Sequence, residues 1–159
     1  MRRAVRWGLL GLLLLFAGIQ LVPVDRTNPP VLSRIEPPAE VRTILERSCY
    51  DCHSNETRWP WYSRVAPASW FMANHVRHGR GDLNFSEWPA LDFELQEHAM
   101  HDIVEQVGEG NMPLRSYLLL HRDAKLGPED RETLVRWAKA SGGGGDEGGA
   151  EHEKDDDGD

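Results

Sequence analysis

The residues best placed to do chemistry are Cys49, Cys52 and His53, in the run Cys49-Tyr50-Asp51-Cys52-His53. Two thiols three positions apart with an adjoining imidazole match the attachment sequence for c-type haem. Each sulfur would add to one vinyl group, and both vinyls are fixed on one porphyrin edge. The sulfurs must therefore lie close together and point alike, which two intervening residues at a helix start allow. The next residue, His53, then reaches the iron from one side of the ring. These are the chain's two cysteines, so haem attachment leaves no thiol over. Three other uses of the pair compete. A thioredoxin-like redox dithiol expects a βαβ surround. A structural zinc needs four ligands, usually from a second Cys/His pair. Unmodified thiols or a simple local disulfide are the plainest alternative.

A six-coordinate iron needs a second axial ligand, and Asn111-Met112-Pro113 offers one. A thioether is soft, favours reduced iron and raises the potential. Met112 follows a glycine-broken helix, in a loop able to swing over a haem face, and Pro113 biases it toward an extended backbone. Ordinary core packing is the competing role for Met112. His75 and His78, three apart on a predicted helix, are the alternative sixth ligands. Met72 and Met100 read as packing, and His98, His101 and His121 have no special spacing. Trp59, Trp61, Tyr62 and Trp70 are expected against the porphyrin or in the remaining core. Arg58 and Arg64 are candidates for pairing with haem propionates or are simply exposed.

Helices must position these groups. Pro38 opens a predicted helix over 39–48, where Val41, Leu45, Cys49 and Cys52 share one face. Pro67 suits the first turn of a second helix, 67–79, ended by Gly79 and Gly81. A third spans about 91–107, with Leu91, Leu95, Ala99, Ile103 and Val107 at i+4 spacing, acids near its start and Gly108 and Gly110 after it. A last helix covers about 128–140, with Pro128 first and Leu134, Trp137 and Ala138 on its buried face. Residues 54–66 read as irregular and 80–90 as a loop. No alternating strand pattern and no repeat is present, so the fold class is all-α.

The ends differ from the body. Arg2, Arg3 and Arg6 precede an apolar run, and Trp7 to Val24 is 18 residues long, at the short end for a membrane span. Residues 1–24 read as an uncleaved signal anchor in preference to a cleaved signal peptide, with the basic end cytoplasmic. Five prolines within 23–38 make residues 25–38 an extended tether. Residues 39–140 form the domain. Of the net charge of −8 over 159 residues, −7 sits in residues 141–159, an acidic, Gly-rich segment expected to be disordered. The remaining −1 gives no basic footprint for nucleic acid.

The run Cys49-Tyr50-Asp51-Cys52-His53-Ser54-Asn55-Glu56-Thr57, followed by Trp59-Pro60-Trp61-Tyr62, resembles the bacterial haem-binding domain family, a branch of cytochrome c-like proteins. So do Asn84-Phe85-Ser86-Glu87-Trp88 and the stretch from Met112-Pro113 through Tyr117-Leu118-Leu119-Leu120-His121. The resemblance spans about residues 35–140. It implies an exported, mainly helical cytochrome c-like domain with Cys49, Cys52 and His53 as haem sites.

The expectation is thus a membrane-tethered monohaem cytochrome on the periplasmic side of the bacterial inner membrane. It would carry haem c, with iron held by His53 and Met112, and exchange electrons with a redox partner protein. It would not be an enzyme. The alternative is a haem sensor or small peroxidase-like protein with an exchangeable sixth position.

Overall fold

The computed structural model describes residues 2–88 and 91–143; residues 144–159, most of the predicted acidic tail, lie outside them. The described residues are all-α. Their one strand-like pairing is an isolated bridge from Ser33 to Glu87.

Helix α1, Arg2–Ile19, buries none of its residues and leaves Trp7, Leu9, Leu13, Leu14 and Phe16 exposed. Among the described residues no helix is long and apolar enough to cross a membrane. Just past α1, Gln20 is joined to Ala66 in both directions. Its amide oxygen accepts from the Ala66 N–H at 2.8 Å, and its Nε2 donates to the Ala66 carbonyl at 3.3 Å.

The proline-rich segment that follows is extended, and it lies along the domain. The N–H groups of Leu32 and Ser33 donate to the Ser86 carbonyl, and that of Ile35 to Phe85. Arg80 gathers the same region: it donates to the carbonyls of Thr27 and Ser54 and to the side chains of Asn28 and Thr57. A chain that lacks helical bonds must satisfy its amides elsewhere, and this one uses the loop at 84–87.

Helix α2, Ala39–Ser48, has the predicted bounds, with Pro38 before it and Val41, Ile44 and Leu45 buried. The short α3, Tyr50–His53, follows at once. A 3₁₀ turn, Trp61–Arg64, orders part of the segment read as irregular. Helix α4, Ala68–Asp82, runs through both glycines expected to stop it. Helix α5, Phe93–Gly108, is capped by Asp92, whose Oδ1 accepts the Leu95 N–H at 2.9 Å. Two elements unforeseen from the sequence come next: α6, Arg115–Leu118, and a 3₁₀ turn, Arg122–Ala124. Helix α7, Pro128–Ala138, continues into a wide turn, Lys139–Gly143.

The core lies where α2, α5 and α7 meet. Val41, Leu45, Ile103, Val107, Leu134 and Ala138 are all buried there. Leu95, expected on the buried face of α5, is exposed, and Met100 is buried instead. Four residues turn a helix through about 400°, so a strict i+4 series drifts about 40° per step off a straight face. Gly143, the last described residue, seats against α5: a Cβ there would meet the Met100 carbonyl oxygen at 2.6 Å.

Candidate functional site

The cysteine pair sits at a bend between two helices. The Cys49 N–H still donates to the Leu45 carbonyl at 2.8 Å, but the Cys49 φ of −123° turns the chain before α3 begins. The single face expected for Val41, Leu45, Cys49 and Cys52 is therefore broken. Leu45, Cys49 and His53 line one cavity of about 330 Å³, while Cys52 lines a neighbouring one of about 120 Å³. The segment Met112-Pro113-Leu114 borders both: Met112 and Pro113 edge the larger cavity and Leu114 the smaller.

Helix α3 is held there by a close approach. Gly79 of α4 is buried, and a Cβ at that position would meet the Cys52 carbonyl oxygen at 2.8 Å. The glycine taken for a helix stop is thus a packing glycine that lets α4 reach the cysteine pair.

Ala99, Ile103 and Val107 of α5 also line the larger cavity, together with Leu83 and Phe85. Its polar lining is sparse: Ser48, Asp82, Asp102 and Gln106. The His53 Nδ1 lies 3.2 Å from the Leu83 carbonyl. A carbonyl only accepts, so Nδ1 carries the proton and Nε2 keeps its lone pair. Burial lowers the His53 pKa, against the raising effect of the Leu83 and Gly79 carbonyls. The ring is therefore the neutral form that ligates metals. Burial pushes the Cys49 thiol up to about 12 and the Cys52 thiol up to about 11. Both stay protonated at neutral pH, the opposite of a redox dithiol, which depends on a stabilised thiolate.

The other sequence candidates divide. His75 has the same Nδ1-to-carbonyl contact as His53, 2.8 Å from Phe71, but it lines the smaller cavity with Cys52 and not the one that Cys49 and Met112 share; His78 is exposed and lines neither cavity. Of the aromatics, Tyr62 lines the smaller cavity, Trp61 is 78% exposed, and Trp59 donates to Asn28 on the far side of the segment 54–57. Trp59 and Trp70 instead line a separate cleft of about 400 Å³ with Arg77 and Arg80, away from the cysteines. Arg64 is exposed. His98 and His101 are exposed too, though His101, Asp102 and Glu105 converge within 4.8 Å on α5.

Arg58 is committed elsewhere, to a carboxylate inside the cysteine motif. Asp51, between the two cysteines, is 8% exposed. Its carboxylate accepts from the Arg58 backbone N–H, Nε and Nη2 at 3.0, 3.0 and 3.2 Å, and from the Tyr117 hydroxyl at 2.7 Å. The bond to Asp51 raises the Arg58 pKa; burial, then the same carboxylate, raises that of Tyr117. Tyr117 also stacks on His121 at 4.0 Å and 9°, and the Tyr62 hydroxyl lies 3.2 Å from the His121 Nε2.

Two thiols, a neutral imidazole with a free Nε2 and a thioether thus surround a mostly apolar space split by one segment. That donor set fits an iron porphyrin: nitrogen and thioether sulfur for the metal, thiols for its vinyl groups, apolar walls for its faces. A family profile described as a haem-binding domain matches residues 14–140. No curated protein and no solved structure matches the chain.

Proposed function

Since the chain belongs to the haem-binding domain family, we propose that it is a cytochrome c-like electron carrier with one covalently attached haem c. The observation that carries this reading is the meeting of Cys49, His53 and Met112 on one apolar cavity, with Cys52 on the adjoining one. Haem, when bound, supplies a one-electron iron couple. Cys49 and Cys52 would hold it by thioether bonds. His53 would offer Nε2 to the iron, its ring oriented by the Leu83 carbonyl. Met112 would offer a soft thioether, which favours reduced iron. The walls supplied by Leu45, Phe85, Ile103 and Val107 keep water from the site. With His53 and Met112 both held to the iron, no position would be left for substrate, and the protein would exchange electrons with a redox partner protein rather than act as an enzyme.

Residues 1–24 anchor this domain to the periplasmic face of the bacterial inner membrane. The support is the exposure of the apolar side chains of α1 behind three arginines. Residues 25–38 link anchor to domain, and residues 39–140 are the haem-binding unit.

Carbon monoxide discriminates the carrier from a sensor or peroxidase-like protein. The reduced full-length protein, haem loaded, is expected to leave its absorption spectrum unchanged under carbon monoxide. Prompt formation of a carbonyl spectrum would sink the carrier reading and favour an exchangeable sixth position.

A further inference from the structure

We infer that Asp51 and Tyr117 form a latch that positions Met112 over the haem. The inference rests on the reading of Met112 as sixth ligand.

Met112 lies on a segment with little apolar hold of its own. Helix α6, which follows it, buries none of its residues, and Leu119 and Leu120 beyond are exposed. The segment is fastened at its two ends. Before the proline, the N–H groups of Asn111 and Met112 both donate to the Gln106 carbonyl of α5, at 2.9 and 3.1 Å. Five residues after Met112, the Tyr117 hydroxyl donates to Asp51 at 2.7 Å.

The second fastening reaches the attachment motif itself. Asp51 is the residue before Cys52, and its carboxylate is aimed by three bonds from Arg58. The same helix, α3, that carries His53 therefore holds the loop that carries Met112. A bond from a hydroxyl to a buried carboxylate is among the stronger neutral-to-charged hydrogen bonds. Its loss releases the loop while leaving Cys49, Cys52, His53 and Met112 in the chain. Asp51 and Tyr117 are positioning residues: neither lines the cavity that His53 and Met112 share, and Tyr117 borders only the smaller one beside Cys52.

The test is Tyr117→Phe in the full-length, haem-loaded protein. The ring and its stack on His121 stay; only the hydroxyl goes. Imidazole is titrated into the oxidised protein and spectra are normalised to haem content. Met112→Ala sets the limit for an open iron. The variant is expected to bind imidazole about 10- to 100-fold more tightly than the parent, the shift expected on losing one bond to a charged group. The methionine–iron charge-transfer band is expected to weaken in parallel. Asp130→Ala on α7 serves as control: it removes bonds of similar length to Arg47 and to the N–H of Gly127, the residue before that helix. Its imidazole affinity is expected to stay within about twofold of the parent, since neither Arg47 nor Gly127 hydrogen-bonds to the segment 111–117 that carries Met112.

Parent affinity preserved in Tyr117→Phe overturns the latch and leaves Met112 as ligand. An equal shift in Asp130→Ala overturns it too, by assigning the effect to general loosening. A parent protein that already binds imidazole as tightly as Met112→Ala overturns the ligand assignment, and the latch with it.

Discussion

Replacing His53 by alanine is expected to lower the yield of haem-loaded protein by more than about tenfold and to abolish the six-coordinate low-spin spectrum of what remains. Loss of an outer partner that merely orients a metal ligand costs about 10- to 100-fold in affinity. Loss of the ligand itself sets that range as a floor. The geometry makes substitution by another group difficult. Cys49 and His53 line the same cavity, and the bond from Nδ1 to Leu83 leaves Nε2 as the free nitrogen of the ring. His75 borders only the smaller cavity. Haem content per protein and the visible spectrum check this; a variant with parental content and parental spectrum contradicts the assignment.

Met112→Ala has a different signature. The haem is expected to remain attached, because neither thiol nor His53 is touched. The reduction potential is expected to fall by on the order of 100 mV, within the about 0.8 V range that axial ligands command. The sign follows from softness: a thioether stabilises ferrous iron more than water or an open position does. Carbon monoxide, excluded from the parent, is expected to bind the reduced variant. A spectroelectrochemical titration reads the potential. An unchanged potential with carbon monoxide still excluded would return Met112 to the role of packing residue.

Much of the helical order was legible because its signals are local. Pro38 and the buried positions of α2 mark its bounds, and Asp92 marks the start of α5. Glycine misled at α4. In sequence Gly79 reads as a stop, yet its missing Cβ serves the contact with Cys52, which a one-dimensional pattern does not contain. The short α6 and the two 3₁₀ turns carry no periodicity long enough to read. The site divides in the same way. Cys49, Cys52 and His53 stand out by spacing, and Met112 by chemistry. Asp51 did not stand out, because its partners Arg58 and Tyr117 lie 7 and 66 residues away. The only nearby hint was its position inside the motif, where any residue type satisfies the spacing. Arg58 was open to a propionate role for the same reason: its carboxylate partner became visible only once the chain was folded. The proline-rich segment, too, announced its extended backbone but not the carbonyls of Phe85 and Ser86 that receive its amides.

The most direct measurement is extraction of the protein, produced full length alongside haem-attachment machinery, with acidified acetone, followed by a pyridine haemochrome spectrum of the pellet. Thioether bonds to Cys49 and Cys52 survive that treatment, so the haem should stay with the polypeptide and show the spectrum of a haem with both vinyl groups saturated. Haem that leaves with the solvent, or a pellet without any haem spectrum, would contradict covalent attachment.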